Sequence, residues 1–177
     1  MKDASIKLEN VSFRYPCANA DALRDINLEI AQGEHIAFVG PSGGGKTTLA
    51  RLIARFADST TGRINIGGVD VKCIEQKELM EAVSFVFQDS HLLKMSIYDN
   101  VRMGKKEATR QEVLDALKSA QCEDIIEKLP DGIDTVIGSK GTYLSGGEAQ
   151  KISIARAMLK NAPIIILDEA TAFADPD

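Results

Sequence analysis

The chain has 177 residues, 44% of them apolar and 27% charged, which is enough for one sizeable core and fits an ordinary folded domain. Its 21 basic residues stand against 26 acidic ones, and a net charge of -5 argues against a surface that grips nucleic acid through general phosphate electrostatics, so any phosphate site has to be local. The longest strongly apolar run, Ile164-Ile165-Ile166-Leu167, is far below the roughly 18 residues of a transmembrane helix, and Lys2, Asp3 and Lys7 give no sign of a secretory signal, so if the function involves a membrane path, another segment or chain supplies it.

Apolar and polar positions alternate from Ile6 to Phe13 and again from Leu23 to Ile30, which predicts half-buried strands in an antiparallel start. Cys17, Cys73 and Cys122 are widely spaced and read as scattered free thiols in a reducing compartment. Gln32-Gly33-Glu34 marks a turn, and Ile36-Ala37-Phe38-Val39 predicts a short apolar strand that ends in a glycine-rich stretch. His35, just before it, and His91 read as ordinary surface or packing residues.

Gly40-Pro41-Ser42-Gly43-Gly44-Gly45-Lys46-Thr47 fits G-x-x-x-x-G-K-[ST], a loop whose backbone N–H groups wrap around phosphate oxygens that side chains would obstruct. The following helix offers its partly positive N-terminus, Lys46 reaches toward the β- and γ-phosphates, and the Thr47 hydroxyl is placed to ligate Mg²⁺; Thr48 is grouped with the loop as a binding residue. Leu49, Leu52, Ile53 and Phe56 fall on one face of that helix. Strand, loop and helix in this order predict a nucleotide-binding site.

A hairpin is expected from Gly62 to Val71 through Gly67-Gly68. Thr109 with Glu112 forms a capping box ahead of a helix with Val113, Leu114 and Leu117 as its buried stripe. Ser145 with Glu148 repeats the start signal for a helix through about Leu159, with Ile152, Ala155 and Leu159 among its apolar positions. Pro163 separates this helix from the strand Ile164 to Leu167, which ends in Asp168-Glu169. Paired with a phosphate loop, strand-end acids divide the work: Asp168 serves Mg²⁺, usually through water, and Glu169 handles the attacking water.

Leu144-Ser145-Gly146-Gly147-Glu148-Ala149-Gln150 closely resembles the signature motif of ATP-binding cassette (ABC) proteins, and a capping box alone does not explain the two glycines or Gln150. The resemblance covers almost the whole chain and implies an α/β fold: a P-loop NTPase core with a mainly parallel sheet, an N-terminal antiparallel β subdomain and an α-helical subdomain. It implies a single incomplete ATP-binding domain over 1–177, with about 1–75 and 156–177 as nucleotide-binding core and about 76–155 as helical subdomain. Tyr15 resembles the aromatic that stacks on adenine, Gln88 the glutamine that contacts Mg²⁺ or the attacking water and links the site to a membrane domain, and Asp175 an acid that meets the partner subunit. Ser96-Ile97-Tyr98-Asp99-Asn100-Val101 and Thr135-Val136-Ile137-Gly138 are most similar to the exporter branch.

The family pattern further implies two such domains paired head to tail, identical or not, with each ATP between one phosphate loop and the Ser145, Gly146 and Gly147 of the other. It implies a transmembrane partner and a place on the cytoplasmic face of the membrane, without nucleic acid. The family's switch histidine lies on a further strand that this chain does not reach, so a fragment with exposed apolar sheet edges is expected. Ala172-Phe173-Ala174-Asp175 and Ser139 depart from the commoner exporter residues and leave coupling details open. A soluble cassette ATPase acting on ribosomes or DNA, and a remnant that binds ATP without turnover, are the alternative readings.

Overall fold

The computed structural model of the protein describes residues 2–138 and 143–168. The chain divides into two compact units, Met1–Val83 and Ser84–Asp177.

In the first unit the expected antiparallel start forms a four-stranded sheet of order β2-β1-β3-β4, with β1 at Ile6–Phe13, β2 at Leu23–Ile30, β3 at Thr61–Ile66 and β4 at Val69–Asp70. Ile6 lies opposite Ile30 on one side and Ile66 on the other, and Leu8 opposite Leu28 and Ile64, so apolar residues line up across the strands. The register shifts between Leu8 and Val11, where Asn10 takes φ 50 and its N–H donates to Asn27 Oδ1 at 2.9 Å. This bulge lets Leu8 and Val11 both face the core although three positions separate them. Gly62 packs against it so closely that a Cβ would lie 2.3 Å from Asn10 O. The predicted hairpin is present, with Ile66 opposite Val69 and both Gly67 and Gly68 at positive φ, as a two-residue turn between twisted strands requires.

The helix after the glycine-rich stretch is α1 (Lys46–Ile53), with Leu49, Leu52 and Ile53 buried as expected. Phe56 is not part of that face: the helix stops at Ala54, Arg55 turns to φ 54, and Phe56 is 53% exposed. Arg55 instead donates to Val71 O and Ile74 O, tying the end of α1 to the short turn ahead of α2 (Gln76–Ala82). The expected strand Ile36–Val39 is a second correction. It joins neither sheet, and Val39 is 93% exposed. Four apolar residues gain strand conformation only from a ladder on their edges, and no described strand supplies one.

In the second unit β5 (Val83–Val86, its first residue at the unit boundary) pairs in parallel with β6 (Ile164–Leu167). Ile165 and Leu167 of β6 are exposed while Ile164 is buried. The helices α3 (Ile97–Arg102), α4 (Arg110–Ser119), α5 (Glu123–Glu127) and α6 (Gly146–Lys160) enclose a core that includes Ile97, Val101, Val113, Leu117, Ile125 and Ile152. Both predicted capping boxes are formed, Thr109 with Glu112 and Ser145 with Glu148. The stripe of α4 is Val113, Ala116 and Leu117; Leu114 faces outward instead, one position off the 3.6-residue repeat. Asn161 in the left-handed conformation closes α6 before Pro163 and β6. Among the described residues no helix is long and apolar enough to cross a membrane.

Candidate nucleotide site

The phosphate-loop candidates lie together in the first unit. Gly43 (φ 76) and Gly45 (φ 86) adopt the left-handed conformation, and Gly45 is the residue from which α1 starts. A Cβ on Gly45 would stand 2.7 Å from Leu23 Cδ2 and 2.9 Å from Ala22 O, and one on Gly44 would stand 3.0 Å from Pro41 O. The start of β2 therefore presses the loop against the helix N-terminus at a distance that admits no side chain. The Gly44 N–H donates to Pro41 O at 3.1 Å, and Lys46 Nζ donates to Gly40 O and Pro41 O at 2.9 Å each, so the ammonium spans the loop mouth. Gly40, Pro41, Ser42, Gly43 and Gly44 are exposed, and their backbone is open to a ligand.

Tyr15 joins this group. Its hydroxyl and the buried Thr48 hydroxyl are hydrogen bonded at 2.9 Å, and its ring meets Phe13 edge-on with centroids 4.9 Å apart. The ring is 42% exposed, so a face is available to an aromatic ligand beside the helix that the phosphate loop caps. Arg14 fixes the segment by donating from Nε to Asp21 Oδ1 at 2.8 Å and from its backbone N–H to Thr60 Oγ1 at 3.1 Å. The pairing of Tyr15 with Thr48 was not visible in sequence, where 33 positions separate them. Thr47 begins α1 beside Lys46.

The remaining described candidates belong to the second unit. Asp168 follows β6 directly, is buried, and its N–H donates to Val86 O at 2.9 Å, which anchors the strand end expected to carry it. Gln88 lies two residues past β5 on an exposed stretch. Ser145 caps α6: its Oγ accepts from Glu148 N–H at 3.3 Å, while Glu148 Oε2 accepts from the Ser145 N–H and hydroxyl at 2.8 Å each. The backbone and hydroxyl donors of Ser145 hold the Glu148 carboxyl below the usual carboxylate range. Gly146 and Gly147 occupy the first turn, where backbone N–H groups have no acceptor within the helix. Glu169, Asp175, Ser139 and the stretch around Ala172 lie outside the described residues.

The two exporter-like stretches come together. Ser96 bridges Val136 antiparallel, Ile97 N–H donates to Thr135 O, and Ile137 N–H donates to Met95 O. Asn100, in the first of these stretches, accepts from Arg156 of α6 at 2.7 Å and 3.2 Å, a pairing across 56 positions that the sequence does not reveal. His35 and His91 are exposed, as are Cys17 and Cys73, and Cys122 is buried with its thiol pushed up to about 11 by that burial.

The protein family described as ABC transporter matches residues 23–172. A putative multidrug export ATP-binding/permease protein of Bacillus subtilis, YgaD, is 44% identical over 170 residues, which is 96% of this chain and 29% of the relative. An ATP-dependent lipid A-core flippase of Syntrophus aciditrophicus is 48% identical over 172 residues, 97% of this chain and 28% of the relative. Among solved structures, that of a bacterial Atm1-family ABC exporter with ATP bound superposes with a TM-score of 0.91 at 43% identity, covering 99% of this chain and 30% of that one. The chain thus spans about three tenths of the length of the relatives it matches. With a glycine cradle closed to side chains, a lysine across its mouth and a capped Ser-Gly-Gly helix start, this chain belongs to the ABC transporter family, as an ATP-binding domain of the P-loop NTPase fold.

Proposed function

We propose that this chain binds ATP between Tyr15 and the loop Gly40–Thr48 and hydrolyses it to power transport across a membrane. The observation that carries the reading is the loop itself: Gly45 admits no side chain, and Lys46 rests on two carbonyls that phosphate oxygens can replace as partners. The Tyr15 ring, held through Thr48, is placed to stack on the base. Thr47, Gln88 and Asp168 are oxygen donors of the kind a hard cation selects, so they would hold Mg²⁺, which when bound neutralises charge on the β- and γ-oxygens. Glu169 takes a proton from the attacking water, whose oxygen bonds to the γ-phosphorus as the bond to the bridging oxygen breaks and ADP departs with that electron pair.

Ser145, Gly146 and Gly147 meet the γ-phosphate of an ATP held by a second copy or a related domain, so nucleotide joins two domains and hydrolysis parts them. The nucleotide-binding core comprises about 1–75 and 156–177, and about 76–155 forms the helical part. Relatives named as export ATP-binding/permease proteins and flippases favour a transmembrane partner over action on ribosomes or DNA, and with that partner the chain would sit on the cytoplasmic face of the membrane.

Replacing Glu169 by Gln in the protein at its natural length tests the reading. We expect turnover to be almost abolished while ATP-stabilised dimers accumulate, seen by phosphate release and sedimentation velocity. Undiminished phosphate release removes Glu169 from its role.

A further inference from the structure

Between β1 and β2 the chain leaves the sheet after Phe13 and returns at Leu23, and this loop touches the candidate base platform and the phosphate loop alike. At one foot, Tyr15 offers its ring, and its hydroxyl shares a hydrogen bond with Thr48 Oγ1 of α1 at 2.9 Å. At the other foot, Ala22 O and Leu23 Cδ2 close Gly45 to any side chain, at 2.9 and 2.7 Å from the Cβ it lacks. Ala22 N–H donates to Phe13 O at 2.8 Å and draws the two feet together. Just beyond that bond, Arg14 Nε donates to Asp21 Oδ1 at 2.8 Å as an ion pair, and Arg24 approaches Asp21 Oδ2 at 3.6 Å. One carboxylate therefore ties the residue before the ring to the residue before the wedge on Gly45.

Stability is not sufficient reason for this pair. The Arg14 side chain is half exposed, and an ion pair open to solvent contributes little to the folded state. The tip of the loop, however, does not hold its shape unaided. Ala18 N–H donates to Tyr15 O at 3.1 Å across Pro16 and Cys17, and Cys17 takes φ 65, a left-handed conformation that suits glycine and costs a residue with a side chain. A loop bent against preference at its tip keeps one geometry only when its feet are fastened. Arg14 is fastened from the far side as well, since its backbone N–H donates to Thr60 Oγ1 at 3.1 Å. Held in this way, the Tyr15 ring and Gly45 keep a set separation, which suits a ligand whose flat ring and phosphates are joined by a linker of fixed reach.

We propose that Asp21, acting through Arg14, is a positioning residue for the nucleotide base: it fixes the Tyr15 ring at the distance from the phosphate loop that a nucleoside spans, and so raises affinity for nucleotides over bare polyphosphates. The proposal rests on the reading that the base stacks on Tyr15 while the phosphates lie in the loop Gly40–Thr48. ADP and inorganic pyrophosphate share a diphosphate and differ in the nucleoside, so together they separate base from phosphate without any need for turnover. Each is titrated with Mg²⁺ by calorimetry into the protein at its natural length. Asp21→Ala is expected to raise the Kd for ADP about fivefold and to leave that for pyrophosphate within about twofold. Tyr15→Ala raises the Kd for ADP about tenfold, and adding Asp21→Ala to it changes that value by less than about twofold, because no ring remains to be positioned. Unchanged ADP affinity in Asp21→Ala overturns the proposal. So does an equal loss for pyrophosphate, which would put the effect in the phosphate loop, and so does a loss that persists without the ring, as a merely structural tie would produce. Should Asp21→Ala fail to fold, Arg14→Gln cuts the same pair from the other side and is judged by the same comparisons. Tyr15→Ala with parental affinity for ADP removes the base reading itself, and the proposal falls with it, whatever Asp21→Ala does.

Discussion

Lys46 and the glycines before it make different contributions to one loop, and substitutions separate them. The Lys46 ammonium is bonded to two carbonyls without a carboxylate partner, so under the proposed function it exchanges those neutral acceptors for phosphate oxygens at a gain. Charge-assisted bonds of about 1.5–3 kcal/mol each make Lys46→Ala raise the Kd for ATP by roughly 100-fold or more, measured by titration calorimetry; retained affinity counts against the loop as the phosphate site. The glycines are expected to act through backbone and space. Gly43 has positive φ with nothing near its missing Cβ, whereas Gly45 combines positive φ with Leu23 and Ala22 at under 3 Å. Gly43→Ala then costs about 1–2 kcal/mol of stability from strain alone, and Gly45→Ala a further 1–3 or so from the clash. Urea unfolding of both variants checks the order, and equal losses would show that β2 does not press on the loop.

Among the secondary elements, α4 is expected to show the clearest dependence on pH. Glu112 closes its capping box and also bonds Lys105; that side-chain partner first, and the Thr109 donors after it, draw its carboxyl down to about 2 from the ordinary 4.5. A carboxyl lowered on folding stabilises the folded state fully above 4.5 and loses that contribution as pH falls toward about 2. Hydrogen exchange at the start of α4 should therefore quicken over that window, and Glu112→Gln should flatten the dependence; an unaltered profile in the variant assigns the effect elsewhere. Such boxes were legible in the sequence because a cap and its partner lie three residues apart, and so were β1, β2 and the Gly67-Gly68 hairpin, whose periodicity is local. Ile36–Val39 was misread for the converse reason: its strand conformation depends on neighbours that its own residues do not encode. The glycine-rich loop and the helix after it could be read from spacing, but the Tyr15–Thr48 bond and the Asn100–Arg156 pair join residues 33 and 56 positions apart, and only the fold brings these together. Phe56 and Leu114 fit a helical repeat on paper; the positive φ of Arg55 and the one-position drift along α4 turned them outward.

At the scale of the whole molecule, the proposed sharing of sites between two copies makes a prediction that neither copy alone can satisfy. If each ATP is held by the loop of one copy and the Ser145-Gly146-Gly147 helix start of another, damage to the two halves need not lie in one chain to be fatal, and damage carried by different chains can be rescued. Lys46→Ala destroys the loop half, and Gly146→Asp puts a carboxylate where the γ-phosphate is expected, at a helix N-terminus whose free N–H groups suit an anionic ligand. On that reading each variant at its natural length forms a symmetric dimer with both sites spoiled. A mixed dimer instead pairs the intact loop of the Gly146→Asp chain with the intact helix start of the Lys46→Ala chain, while its other site carries both defects. Random exchange makes half the dimers mixed, each with one working site of two, so an equal mixture should recover roughly a quarter of the unmodified turnover. Phosphate release from the mixture, set against the sum of the variants measured apart, gives the answer. Turnover no higher than that sum, with exchange of partners verified by sedimentation of tagged chains, would mean that each domain completes its own site and that α6 faces something other than nucleotide.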